Sequence, residues 1–100
     1  MNLNLNYGED FKDYLVKKRE CEILEGVQYV FGFDNDFGAS VIKNKYSYGH
    51  EKELWELAVL TYNHEENYYE ENYTNPISND VIGYLTNDDV IYLLKQIKEL

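Results

Sequence analysis

The stretch VQYVFGFDNDFGASVIK, residues 27–43, decides the fold, because it reads as two strands joined by a tight turn. Every second residue from Val27 to Phe33 is apolar or aromatic, and this period of two predicts a strand with one aromatic face. The turn-rich residues 34–38 follow, and residues 39–43 predict a second strand. A connection this short requires the two strands to be antiparallel neighbours.

Further strands are predicted on both sides of this hairpin. A shorter strand at residues 21–24 precedes a turn before Val27. Residues 54–62 are apolar on both sides, and their β-branched and aromatic residues favour a central or helix-covered strand over a helix. Trp55, within that strand, is expected to anchor the core. Residues 63–75 contain almost no aliphatic side chain and predict a loop, or a strand extension that frays into one.

A helix is predicted at each end of the chain. Apolar residues at i, i+4, i+7 and i+8 from Tyr7 are typical of an amphipathic helix over residues 8–19. Thr86 and Asp89 stand in capping-box spacing before an apolar stripe, which predicts a helix over residues 87–99. The 100 residues support one domain, residues 1–100. We therefore expect an α+β fold, with a three- or four-stranded antiparallel sheet, an N-terminal helix and a C-terminal helix.

The composition points to a cytoplasmic, acidic protein. The formal net charge is −10, and Lys and Arg are absent between Lys52 and Lys95. A negative chain repels phosphate backbones and anionic lipids, so direct binding to nucleic acid or membrane is not expected. Residues 1–6 lack the basic start and apolar stretch of a signal peptide. Cys21 is the sole cysteine, which excludes an intramolecular disulfide and fits a reducing compartment.

The most unusual segment is residues 65–73, where Glu-Glu-Asn-Tyr occurs twice at a spacing of five. Five residues are in phase with neither a helix nor a strand, so an exposed, irregular, acidic and aromatic loop is predicted. Two interpretations remain open. The loop serves only solubility, or it forms a docking surface for a basic, nucleic-acid-binding groove, with tyrosines as interface residues.

Motifs for metal binding or catalysis are weak. Residues 34–38 suggest a calcium loop, but the later positions of an EF-hand do not match, so a hairpin turn is favoured. His50 and His64 are the only histidines, and their spacing does not preset a metal site. Cys21 lies between two glutamates, which raise a thiol pKa and disfavour a nucleophile. We expect no cofactor and no enzymatic activity.

A resemblance adds context to this reading. The string FGFDNDFGASVI at residues 31–42, with SYG at 47–49, LWELAV at 54–59 and DVIGYL at 80–85, resembles small, uncharacterised phage and prophage proteins of Gram-positive bacteria. It covers residues 20–100, with Asp36-Phe37 where that pattern has Gly-Tyr. The resemblance implies an origin in which small acidic proteins block host defence nucleases, as anti-CRISPR proteins and other DNA mimics do. It implies no functional residue.

These observations predict a non-enzymatic phage protein in the host cytoplasm that inhibits a nuclease of a defence system by occupying its basic surface. The predicted partner-binding residues are Tyr62, Glu65, Glu66, Tyr68, Tyr69, Glu70, Glu71, Tyr73, Asp80, Asp88 and Asp89. One alternative is a regulatory or structural phage module that forms a homodimer through the aromatic strand face. The other is a metal-assisted hydrolase that uses His50 and His64. The sequence leaves open whether the chain is a monomer or a homodimer.

Overall fold

The hairpin predicted from residues 27–43 lies at the centre of the sheet. In the computed structural model, which describes residues 1–100, β2 (Gly26–Gly32) pairs antiparallel with β3 (Phe37–Lys43). The turn between them is fixed by Asn35, whose Oδ1 accepts the backbone N–H of Phe37 at 3.0 Å. Asp36 adopts a left-handed conformation, with φ 68°. The predicted antiparallel hairpin is confirmed.

The sheet has six strands, more than the three or four predicted. The order is β1-β2-β3-β4-β5, and β6 also pairs with β4. All pairings are antiparallel. The four strands outside the central hairpin are β1 (Leu15–Cys21), β4 (Trp55–Asn63), β5 (Tyr68–Glu71) and β6 (Ile82–Leu85). Because β5 pairs with the second half of β4 and β6 with the first half, both lie along the same edge of β4.

The two helices differ in how well the sequence predicted them. α2 (Asn87–Lys98) begins with the expected capping box, in which Thr86 and Asp89 each accept the other's backbone N–H. The helix predicted over residues 8–19 is wrong beyond its first turn, because α1 (Gly8–Lys12) has only five residues. The following residues form β1, where pairing with β2 satisfies the backbone that a helix would otherwise have satisfied internally. No helix has the length and apolar character needed to span a membrane.

One face of the sheet carries the core. α2 packs across β3, β4 and β6. Its own residues Val90, Leu94 and Ile97 are fully buried against the sheet. Trp55, 3% exposed, belongs to the same cluster of 15 buried residues, as the sequence predicted. The N-terminal segment covers the other half of this face. Tyr7, for example, packs edge-on against Phe31, with ring centroids 5.5 Å apart.

The N-terminal segment is held in place by polar groups of the core face. Lys43 donates from Nζ to the carbonyl of Asn2 at 2.7 Å and lies 4.2 Å from the centre of the Trp55 ring. Burial lowers the pKa of the Lys43 ammonium, and nearby Glu53 acts in the opposite direction. Tyr29 donates its hydroxyl to the carbonyl of Leu3 at 3.0 Å. The first residues of the chain are therefore part of the fold.

The sheet is strongly curled, and the side chain of Tyr69 gives the direction of the curl. Tyr69 lies on β5, yet a Cβ atom on Gly32 of β2 would overlap its hydroxyl, and one on Gly38 of β3 would lie 3.2 Å from its ring. In a flat sheet β5 and β2 would be three interstrand steps of about 4.8 Å apart. One tyrosine side chain cannot span that distance. The sheet therefore bends over the face opposite α2, which becomes concave.

Candidate functional site: an acidic edge of the sheet

The acidic segment predicted as a loop forms a hairpin with β4. Asn63 organises its turn, because Oδ1 accepts the backbone N–H groups of Glu65 and Glu66, each at 3.0 Å. Asn67 closes the turn in a left-handed conformation and donates its N–H to the carbonyl of Asn63 at 2.7 Å. β5 then pairs with β4. The prediction of an irregular loop is thus wrong for residues 68–71. The backbone N–H and C=O groups of these residues are satisfied by pairing with β4 and not by their own polar side chains.

The two carboxylates of β5 point to opposite faces of the sheet, because Glu70 and Glu71 are consecutive residues of a strand. Each accepts a hydrogen bond from a tyrosine hydroxyl. Tyr68 donates to Glu70 at 3.2 Å, and Tyr73 donates to Glu71. Two exposed phenol rings are therefore held beside two exposed carboxylates.

These hydrogen bonds also hold the proton on the phenols. The bond to Glu71 is the main cause that raises the pKa of Tyr73 from 10.0 to about 12, with burial and the charges of Glu71, Asp80 and Glu56 adding to it. The bond to Glu70 raises the pKa of Tyr68 in the same way. Both phenols therefore keep their protons, and remain hydrogen-bond donors, to a higher pH than a free tyrosine does.

Tyr62 and Tyr69 lie inward from this edge. Their rings pack edge-on, with centroids 4.9 Å apart, and Tyr69 extends across the cross-strand pair of Gly32 and Gly38. Burial raises the pKa of the Tyr69 hydroxyl, and nearby Asp36 adds to the effect. Both side chains are half-buried. They shape the concave face more than the outer surface, whereas Tyr68 and Tyr73 remain 49% and 40% exposed.

The three predicted aspartates lie in a loop and in a helix. Asp80 lies in the loop before β6 and is close enough to Tyr73 to raise its pKa. Asp89 belongs to the capping box of α2, with Asp88 beside it in the first helical turn. The last turn of α2 is held by Asn35, whose side chain donates to the carbonyl of Ile97 at 2.9 Å.

The β2–β3 turn that holds α2 also contacts the turn that carries Glu65 and Glu66. Asp36 in the first turn lies 2.8 Å from the Nε2 atom of His64 in the second. Asp88 and Asp89 begin α2 and are therefore separated from this end by the length of the helix, about 18 Å for 12 residues. Direct contacts join Tyr68 to Glu70 and Tyr73 to Glu71, and Asp80 and Glu56 act on the pKa of Tyr73. Glu65 and Glu66 lie in the turn of the same hairpin, whereas Asp88 and Asp89 lie in the first turn of α2.

We call this group the acidic edge. It comprises Glu56, Glu65, Glu66, Tyr68, Glu70, Glu71, Tyr73 and Asp80. Sequence reasoning missed Glu56, which lies on β4 and accepts the backbone N–H of Tyr48 at 2.9 Å. Its influence on the pKa of Tyr73 places its charge at this edge. Finding Glu56 requires the register of the strand at residues 54–62 and its pairing with β5. The sequence predicted the strand but neither its register nor that pairing.

The structure buries the aromatic strand face that the homodimer alternative uses, and it separates the two histidines that the hydrolase alternative uses. The aromatic strand face that a homodimer would use is buried, with Tyr29, Phe31 and Phe33 at most 4% exposed. His50 precedes β4 and His64 follows it, so about 30 Å of extended strand separates them. No three His, Cys, Asp or Glu side chains are grouped so that they could hold a metal ion.

The chain thus has an α+β fold with a curled antiparallel sheet, one helix-covered face and one acidic edge. No family model matches it, and comparisons with curated proteins and with solved structures found no match.

Proposed function

We propose that this protein acts without catalysis, by stoichiometric binding of its acidic edge to a basic surface of another protein. The observation that carries the proposal is the absence of Lys and Arg between Lys52 and Lys95. That interval supplies β4, β5, β6 and the loop before β6. A partner that contacts this part of the chain would meet carboxylates with no Lys or Arg among their sequence neighbours, which favours Lys- and Arg-rich surfaces.

The mechanism divides between charge and ring contacts. The glutamates take the place of phosphates opposite the partner's cations, and their long-range attraction speeds encounter. Tyr68 and Tyr73 supply exposed aromatic area close to the charges, and desolvated aromatic contacts slow dissociation. Their hydroxyls are already hydrogen-bonded to Glu70 and Glu71. Because these side chains are ordered in the free protein, binding has less conformational entropy to remove.

The partner we propose is a nuclease of a host defence system, inhibited in the cytoplasm of the host by a phage-encoded protein. Surfaces that bind nucleic acid carry clustered Lys and Arg, because phosphate contacts dominate their affinity. An acidic edge that occupies such a surface excludes the nucleic acid competitively. This is the mechanism of a DNA mimic or of an anti-CRISPR-like inhibitor, the context implied by the resemblance to small phage proteins.

The experiment compares two variants with the same net charge. In the first, Glu65, Glu66, Glu70 and Glu71 are changed to Gln. In the control, Glu20, Glu22, Glu25 and Glu99, which are exposed elsewhere, are changed to Gln. Each set removes four negative charges from a net charge of −10 and leaves −6. Both variants and the wild type are used as bait in lysate of a Gram-positive host at low and high salt.

We expect the wild type and the control variant to retain a basic, nucleic-acid-binding protein at low salt, and the acidic-edge variant to lose it. Adding DNA to the washed complex should release the same protein, since both ligands would occupy one surface. The purified partner should lose its nuclease activity at a one-to-one ratio. Equal retention by the two variants, or a partner that binds DNA and this protein together, would contradict the proposal.

A further inference from the structure

The concave face of the sheet holds a cavity of about 530 Å³ between β1 and β5. Small-molecule sites usually enclose about 300–1,000 Å³, so this volume is sufficient for a ligand the size of a two-ring aromatic compound. Val30 and Leu60 line the cavity and are each only 5% exposed. Neither belongs to the core cluster on the opposite face. The curl of the sheet thus creates a second, independent apolar surface.

One wall of the cavity carries two cations that have no carboxylate partner. Lys17 and Arg19 both line it from β1, and none of the ion pairs within 4.0 Å involves either side chain. Lys18, between them in sequence, behaves differently. It lies 3.8 Å from Glu20 and 5.4 Å from the centre of the Tyr29 ring, on the other face of the sheet. Strand alternation therefore sends two of three consecutive cations into the cavity.

Arg19 is held in position by a chain of neutral hydrogen bonds. Its Nε and Nη2 donate to Oε1 of Gln28 at 3.2 and 2.8 Å. Gln28 donates in turn from Nε2 to Oγ of the buried Ser40, also at 2.8 Å. A guanidinium has five N–H donors, so three remain for a ligand. A cation fixed by neutral partners keeps its full charge for an anion.

The opposite wall is aromatic and acidic. Tyr62 and Tyr69 line it from β4 and β5, and Glu71 of β5 lines it as well. Rings favour a planar apolar group by stacking or edge-on packing. Glu71 repels an anionic group, and this repulsion directs the anion of an asymmetric ligand toward Lys17 and Arg19. The cavity therefore has two ends of different chemistry, one for an anion and one for a ring.

We propose that the concave face binds a small organic anion, an aromatic ring that bears one carboxylate or one phosphate. The anionic group lies on Arg19 and Lys17, and the ring lies over Val30 and Leu60 against Tyr69. The cavity shares Glu71 with the acidic edge, but the inference does not rest on the proposed function, because the cations of β1 bind the anion. A failure of either leaves the other standing.

The first test is an NMR titration of the ¹⁵N-labelled chain with 2-naphthoate, 2-naphthyl phosphate and the neutral 2-naphthalenemethanol. We expect both anions to shift the amide signals around Arg19, Gln28, Val30 and Leu60. The neutral compound should bind at least about tenfold more weakly, because it lacks the charge-assisted hydrogen bonds. The ratio of the two anion affinities distinguishes a carboxylate ligand from a phosphate ligand. Equal binding of the neutral compound, or shifts confined to other residues, would overturn the proposal.

The second test uses three variants with the same charge change. Arg19→Gln and Lys17→Gln should each weaken binding of the anions by about tenfold and leave the neutral compound unaffected. Lys18→Gln, on the other face, should leave all affinities unchanged. All three side chains are exposed, so we expect the variants to fold, and circular dichroism checks that they do. A uniform loss in all three would reduce the effect to net charge and overturn the assignment.

A change of oligomeric state is monitored in the same samples by analytical ultracentrifugation. The proposal requires the ligand to bind a monomeric cavity or one that stays open in an oligomer. A dimer that forms with rising concentration and excludes both anions would show that a second copy covers the concave face, and this too would overturn the proposal.

Discussion

The curl of the sheet can be tested at Gly32, where two effects of a single methyl group oppose each other. Replacing glycine by alanine within a strand ordinarily stabilises a protein by about 0.5–1 kcal/mol, because the unfolded chain has less entropy to lose. At Gly32 the three atoms nearest to an added Cβ all belong to the Tyr69 side chain, and they lie within overlap distance. Overpacking of this kind costs about 1–3 kcal/mol. We therefore expect Gly32→Ala to lower the free energy of unfolding by about 1 kcal/mol.

The same substitution should change sign once the ring of Tyr69 is removed. In a Tyr69→Ala background the added methyl group meets none of those three atoms, so Gly32→Ala should stabilise by about 0.5–1 kcal/mol. The coupling between the two positions is then about 1.5–2 kcal/mol, within the range of residues in direct contact. Urea unfolding followed by the fluorescence of Trp55, 3% exposed in the core, measures all four proteins.

Gly38→Ala is the matched control. The atom nearest to a Cβ at Gly38 is the backbone carbonyl oxygen of Phe31, which removal of Tyr69 does not displace. The substitution should destabilise the protein in both backgrounds. If Gly32→Ala is stabilising in the wild type, or if its effect is the same with and without the ring of Tyr69, then Tyr69 does not lie across β2 and β3, and the sheet is not curled over this face.

Three further predictions follow from local contacts. Because the folded-state pKa of Tyr73 is raised to about 12 from 10.0, the contribution of its hydrogen bond is complete below pH 10 and is lost as the pH rises toward 12. Absorbance at 295 nm should show that Glu71→Gln shifts one of the late-titrating phenols to lower pH, and an unchanged curve would refute the contact. Asn35→Ala should destabilise by about 1–2 kcal/mol in urea unfolding, because its amide donates to the carbonyls of Ile97, Lys98 and Leu100; a change below about 0.3 kcal/mol would show that solvent replaces it. Thr86→Ala should cost about 1 kcal/mol through loss of the capping box, whereas Thr86→Ser should be nearly neutral, and equal losses in the two variants would contradict this role.

The elements that the sequence predicted correctly are those with a strong local pattern. The strand from Val27 alternates because one side faces the core, and the turn at residues 34–36 has its own hydrogen-bonding side chain in Asn35. α2 begins at a capping box and buries a stripe of aliphatic residues. In each case local chemistry and tertiary packing favour the same structure.

β1 and β5 lack such a pattern because they are edge strands. The residues of β1 after Leu15 are all exposed, so no alternation of apolar and polar side chains reports their strand period. The spacing of Tyr7, Phe11, Tyr14 and Leu15 matches a helix, yet these residues meet the core from a single helical turn and the strand that follows it. Pairing with β2, a long-range interaction, decides the outcome, and sequence periodicity contains no information on it.

The sequence predicted only part of the acidic edge, because long-range pairing decides which other residues lie there. The residues from Glu65 to Tyr73 are neighbours in sequence, and they remain neighbours in the hairpin. Asp88 and Asp89, which the sequence grouped with these residues, lie in the first turn of α2 and take part in its N-terminal end. The cavity of the concave face had no sequence signal at all. Its cations, Lys17 and Arg19, lie on a strand that was predicted as a helix, and its far wall depends on the curl of the sheet.

The central proposal is that charge on the acidic edge steers a basic partner, and the association rate constant as a function of salt tests it most directly. With the purified partner immobilised, the wild-type rate constant should fall by about tenfold or more between low and high salt, while the dissociation rate constant changes little. The variant with Glu65, Glu66, Glu70 and Glu71 changed to Gln should associate slowly at low salt, and the control variant of equal net charge should follow the wild type. An association rate constant that is independent of salt, or identical in the two variants, would contradict the account.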